Sequence, residues 1–204
     1  VIDAEWLGLV PYADALTVQR DRREQVIAGD APEVLLAMEH PPVITLGRRA
    51  VDPGTIDAGE VPVIATERGG LATWHGPGQL VVYAIVAAER RGIGARRLVT
   101  ALESGVISWL STRGIVAGGR AEARGVWVGD EKICAVGLHL RHGVSMHGLA
   151  LNLRPALDGF ARIVPCGLAG FGVTSVEKVL GEAPSAEGAW EEVCAHLSEA
   201  LRIA

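Results

Sequence analysis

Lysine is scarce in this chain of 204 residues: of its 19 basic side chains only Lys132 and Lys178 are lysines, and the rest are arginines. With a net charge of −5 there is no basic excess to favour nucleic acid or an anionic membrane as a partner. Cysteine is almost as rare. Cys134, Cys166 and Cys194 show neither CxxC spacing nor an even count, which argues against a disulfide framework or a structural zinc site, so each thiol is judged singly. No run of ~18 apolar residues occurs, and the opening VIDAEWLGLV is too short and too charged for a signal h-region, so a soluble, cytoplasmic protein is expected. The GxxxxGK[ST] phosphate loop and the HExxH zinc motif are missing, and no GxGxxG opens a helix. His139, His142 and His147 lie close in sequence, yet 139 and 142 differ in parity on an extended strand and lack a carboxylate partner. Neither a nucleotide cofactor nor a metal is expected.

What is present points to one well-packed α+β or α/β domain spanning residues 1–204, with a hydrophobic content of 49%. YADALTVQRDRREQVIAG has helical apolar spacing and ends at Gly29, a helix stop. VLLAMEH, VITLG and VPVIAT are short β-rich runs bounded by Pro and Gly, so the sheet is expected to begin after this helix. GQLVVYAIVA reads as a buried strand and ARRLVTALESGVISWLSTRG as a second long helix. GVWVGDEKICAVGLHL turns about a Gly-Asp pair and SMHGLALNL returns, which predicts consecutive antiparallel strands. The tail GAWEEVCAHLSEALRIA is helical in period, with Cys194 among its apolar positions as a small hydrophobe.

Three segments carry candidate chemistry. ERGGLATWHGPGQLVVY sets Arg68, Thr73, His75 and Gln79 among four glycines and a proline; Gly69 and Gly70 could line a ligand pocket, or the segment could be a tight hairpin. In PCG, Cys166 lies between a φ-restricting proline and a permissive glycine, which suits a nucleophile on a sharp turn, although an isolated PCG is more often structural. A reactive thiol needs a cationic neighbour, and Lys132 in GDEKICAVG is a candidate; otherwise it is a hairpin surface charge. The arginine pairs, Arg48 and Arg49 among them, suit either an acidic partner or a solvated surface.

Taken in order, RGGLATWHGPGQLVVY, GVWVGDEKICAVGLHL, HGLALNL and IVPCGLAGFGVTSV resemble the signature blocks of the lipoyl(octanoyl) transferase family. They cover residues 68–176, and the LGR at Leu46 to Arg48 extends the similarity toward the amino terminus. The resemblance implies the mixed α/β fold of biotin and lipoate protein ligase catalytic domains, with a larger and a smaller sheet and flanking helices. It implies that Cys166 is the acyl-thioester nucleophile and that Lys132 lowers its pKa. It places the acyl-binding cavity at the loop Arg68, Gly69, Gly70, Leu71, Ala72, Thr73, Trp74 and His75, at the strand Ala135, Val136 and Gly137, and at the strand Gly148, Leu149 and Ala150. Trp74 stands where tyrosine is more usual, and Ala84 where proline is common.

The implied reaction moves an octanoyl group from octanoyl-acyl carrier protein through a Cys166 thioester to a lysine of lipoyl domains. The implied acceptors are the E2 subunits of 2-oxoacid dehydrogenases and the glycine cleavage H protein. Because the donor is an activated thioester, no ATP or other cofactor is needed, and the enzyme is expected to act as a monomer. Lys132, if deprotonated, could take the proton of the incoming amine, with His75 and His147 in reserve. Competing readings are an ATP-dependent lipoate ligase or amidotransferase of the same fold, a non-catalytic acyl- or protein-binding module, and a cysteine hydrolase using His147.

Overall fold

A computed structural model describes residues 2–49, 56–163 and 172–204. In chain order its elements are β1 (Asp3–Leu9), α1 (Tyr12–Ala28), β2 (Val34–Glu39), β3 (Val43–Leu46), β4 (Val63–Ala65), β5 (Ala72–His75) and β6 (Gln79–Ile85). There follow α2 (Ala95–Ser111), β7 (Gly118–Gly119), β8 (Val126–Val128), β9 (Glu131–Arg141), β10 (Val144–Asn152), a 3-10 turn at Leu157–Arg162, β11 (Gly172–Val173), α3 (Val176–Leu180) and α4 (Ala186–Ile203). Among the described residues the larger sheet runs β1-β2-β6-β10-β9-β8-β7, with β11 added beside β9, and the smaller runs β4-β3-β5. Both are mixed: β1 with β2 and β3 with β4 are parallel, whereas β2-β6-β10-β9-β8 are successively antiparallel.

The larger sheet is covered on both faces, which is why GQLVVYAIVA is apolar without alternation. Leu80, Val82 and Ala84 of β6 face α2 and α4, where Leu102, Val106, Trp109, Val193 and Leu197 complete one core. Val81, Tyr83 and Ile85 face the opposite way, toward Ala15, Leu16 and Val26 of α1. Cys194 is 2% exposed within the first core, as expected of a small hydrophobe. Gly29 closes α1 at φ 86°, its N–H returned to Val26 O.

One expectation is corrected. The sheet begins before the first helix: DAEWLGL forms β1 and pairs with β2. As an edge strand it is half-buried along most of its length, with Trp6 stacked on Trp190 of α4, so it has no clean alternation to read. A second feature concerns α1, whose buried face includes Gln19 and Arg23 as well as apolar residues. That face covers a polar cavity as well as a core.

Candidate active site

The cavity, of about 610 Å³, lies on the α1 side of the larger sheet, against the smaller one. Its shape depends on missing side chains. A Cβ on Gly148 of β10 would meet Val82 O at 2.0 Å, and one on Gly137 of β9 would meet Gly69 O at 2.9 Å. Glycine at 137 therefore lets the loop after β4 lie directly on β9, where Gly69 N–H donates to Leu138 O at 2.9 Å. The loop is tied to the end of β3 by Arg48 N–H to Arg68 O and Arg49 N–H to Gly70 O, and Gly70 takes φ 91° to follow that path.

Arg68 is buried without a carboxylate among its hydrogen-bond partners in the described residues: its guanidinium donates to Thr45 O at 2.7 Å, to Thr45 Oγ1 and to Gly69 O. Burial lowers its pKa. Its donors organise the loop. His75 is fixed by Gln79, whose Oε1 accepts from Nδ1 at 2.7 Å and whose Nε2 donates to Asn152 Oδ1. Burial, with His40 nearby, depresses the His75 pKa to about 3, so its ring is neutral.

At the opposite end, Lys132 leaves β9 toward the cavity. Its Nζ donates to Arg124 O at 3.1 Å and stands 4.8 Å over the Trp127 ring. Burial lowers its pKa, against the opposing fields of Cys134 and Glu103, so the amine gives up its proton more readily than a free lysine. Gly125 makes room for it: φ is 127°, and a Cβ there would meet Cys134 O at 2.5 Å and Lys132 Cε at 3.3 Å. Two thiols are poor nucleophiles. Burial pushes Cys134 well above the usual thiol range and Cys194 up to about 12. Cys166 lies outside the described residues, but Ile163 and Gly172, which bracket its segment, both line the cavity.

The structure thus brings Arg68, Gly70, Leu71, Ala72, Thr73, His75, Lys132, Ala135, Val136, Gly137, Gly148, Leu149 and Ala150 to one cavity. Gly69 and Trp74 are not among its lining residues. On β5 Trp74 points away from Thr73 and His75, into a small core with Ile44, Ile163 and Phe160, and its ring lies 5.4 Å from that of Phe160. Sequence reasoning missed Tyr12, Tyr83 and Trp127, which read as ordinary core aromatics. Arg49 lines the mouth beside exposed Arg48, and neither has an ion-pair partner among the described residues. Some other arginines are paired, as Arg22 is with Glu5, Arg91 with Glu33 and Arg141 with Glu24.

Residues 11–198 match the lipoyl protein ligase A/B catalytic domain family. The chain is 50% identical to an octanoyltransferase of Methylococcus capsulatus over 72% of its own length and 71% of that protein. It is 38% identical to an octanoyltransferase of Chromohalobacter salexigens, over 98% and 90% respectively. In fold it is similar to a putative lipoate protein ligase from T. acidophilum with bound lipoic acid, at TM-score 0.74 and 15% identity over 99% of this chain and 86% of that one. A biotin protein ligase from Aquifex aeolicus follows at TM-score 0.56 and 12% identity, over 98% and 69%. At those identities the structural likeness concerns the fold alone.

Proposed function

This chain belongs to the lipoyl protein ligase A/B catalytic domain family, and from that premise we propose that it draws octanoyl groups from a carrier-protein thioester and carries them on Cys166 to a lipoyl-domain lysine. It is an acyltransferase, and octanoyl transfer in protein lipoylation is its activity, as in its octanoyltransferase relatives. The observation that carries the finer reading is Lys132: a half-buried amine, shifted toward its neutral form, facing a cavity floored by small residues.

Cys166 thiolate attacks the thioester carbonyl, and the tetrahedral adduct collapses with loss of the carrier's thiolate, which takes the proton of Lys132 and leaves as free thiol, so that Lys132 is neutral for the second step. Lys132, while protonated, favours the Cys166 thiolate. The acceptor lysine then attacks the acyl-enzyme, Lys132 takes the proton released from its amine, and the Cys166 thiolate leaves. Several observations support this. Ile163 is three residues before Cys166, and three residues span at most ~11 Å, so Cys166 is within chain reach of the cavity wall. Burial disqualifies the other two thiols. Arg48 and Arg49, without an ion-pair partner among the described residues, suit an acidic carrier protein, and the proposed acceptors are E2 lipoyl domains and the glycine cleavage H protein.

The test is incubation of the enzyme with octanoyl carrier protein and a lipoyl domain, followed by intact-mass measurement of all three. One octanoyl mass should appear first on the enzyme, at Cys166, and then on the lipoyl domain, and Cys166→Ala should abolish both gains while leaving the circular dichroism unchanged. Transfer that survives Cys166→Ala, or that requires ATP and free octanoate, would overturn the mechanism.

A further inference from the structure

The cavity has two chemically different lobes. Along β9 and β10, between the levels of Lys132 and His147, the strand positions that line it include Ala135, Gly137, Gly148 and Ala150, none of which carries a polar side chain. At the other end Tyr12, Arg68, His75, Tyr83 and His147 line it. The strand register separates the two. His147 pairs with Leu138, which lies six positions along β9 from Lys132, so at ~3.4 Å per residue the two levels are roughly 20 Å apart. The seven C–C bonds of an octanoyl chain reach ~9 Å, about half that distance.

His147 is the anomalous member of the polar lobe. It is 1% exposed and sits at φ 63°, a left-handed conformation inside a strand. Its backbone N–H is satisfied by Gln19 Oε1 at 2.9 Å, yet neither ring nitrogen has a hydrogen-bond partner among the described residues. The Glu67 carboxylate stands 3.8 Å from Nε2 and is engaged by Arg20 instead, while the Tyr83 ring presents an edge at 6.4 Å. Burial depresses the His147 pKa to about 4, so the ring offers one donor and one acceptor at neutral pH. Buried polar groups that line a cavity take their hydrogen bonds from what it contains, and a methylene chain supplies none.

We propose that His147 is a chain-length determinant of acyl transfer: it keeps the far lobe polar, so that octanoyl chains end within the small-residue trough and chains long enough to enter the lobe are rejected. This rests on the reading above, in which the cavity holds the acyl chain with its carbonyl toward Lys132. Chains of roughly sixteen carbons, whose fifteen C–C bonds reach ~19 Å, extend to the lobe and strip His147 of its hydrogen-bond partners, leaving buried polar atoms unpaired.

The test compares two nearly isosteric replacements. His147→Asn retains a donor and an acceptor and tolerates the left-handed backbone, whereas His147→Leu has similar shape and no polar atom. kcat/KM is measured for octanoyl and hexadecanoyl carrier protein with each variant and the parent enzyme. The octanoyl-to-hexadecanoyl ratio is expected to fall by about tenfold or more in His147→Leu and to stay within about threefold of the parent in His147→Asn. Equal shifts in both variants, or none in either, overturn the assignment. If His147→Leu does not fold, the near-isosteric pair His147→Met and His147→Gln repeats the comparison. Absence of octanoyl transfer by the parent enzyme would instead overturn the acyl reading of the cavity, and the role of His147 with it.

Discussion

Adjacent positions on β9 give the two lysines opposite fates. Glu131 points outward and accepts from Lys178 Nζ at 2.6 Å on the surface, while Lys132 turns inward, with the Arg124 carbonyl as its one hydrogen-bond partner among the described residues. An exposed pair of the first kind contributes little to stability. A half-buried amine of the second kind is costly to keep charged, and that cost makes it a usable base. Lys132→Arg and Lys132→Ala should therefore separate its two duties. Arginine supplies the positive charge beside the thiol but holds its proton at accessible pH. The Arg variant is expected to form the octanoyl thioester and accumulate it, and the Ala variant to form it slowly. Both should lose about 100-fold or more in amide formation. Rapid-quench mass spectrometry resolves the two steps. An Arg variant that discharges its thioester at the parental rate would remove Lys132 as proton acceptor.

At the scale of elements, the helical layer is set by a glycine. A Cβ at Gly105 of α2 would stand 2.9 Å from Leu197 Cα and 2.8 Å from its Cδ2, so α2 and α4 approach this closely only because position 105 is bare. Gly105→Ala would gain ~1 kcal/mol of helix propensity but force the helices apart, at a cost of roughly 1–3 kcal/mol. The net is a loss, expected as a melting temperature lower by a few degrees, with octanoyl transfer little changed because this interface lies across the sheet from the cavity. A melting temperature that rises would show that α4 yields freely. The same scale explains what could be read in advance. α2, α4, β6 and the β8-β9-β10 meander were legible because each pattern answers to one core. β1 was not, because an edge strand need not alternate. The polar stripe of α1 was not either: Gln19 meets His147, 128 positions away, and Arg23 meets His139, 116 away, so local periodicity holds no trace of them. Likewise the loop from Arg68 to His75 announced itself through its glycines, while Tyr12 and Tyr83 looked like core until the cavity beside them was seen.

For the whole molecule, concentrating histidine in the polar lobe ties stability to pH. His40 is held by Val10 O at Nδ1 and by Tyr83 at Nε2 and lies 5.9 Å from the ring of His75, which is held by Gln79, while His147 stands against the ring of Tyr83. Burial depresses their pKa values to about 4, about 3 and about 4, all below the ordinary 6.5. Each binds its proton more readily in the unfolded chain, so the stability tied to the neutral rings is fully present above about pH 6.5 and is lost as pH falls toward 4 and 3. Glu33 acts in a lower window. Its burial is outweighed by the hydrogen bonds of Arg91 and of the Ala87 N–H, so its pKa is depressed and its contribution disappears only below the usual carboxylate range. Between pH 7 and pH 4 the histidines therefore dominate. The free energy of unfolding should fall by at least ~2 kcal/mol over that interval. His40→Gln can still donate and accept but has no proton to bind in this range, and it should flatten the slope without abolishing it, since His75 and His147 remain. Urea unfolding at closely spaced pH values measures this directly. A slope that is unchanged in His40→Gln would mean that His40 does not bind its proton on unfolding in this window, and a slope confined to below pH 3.5 would assign the acid lability to the carboxylates instead.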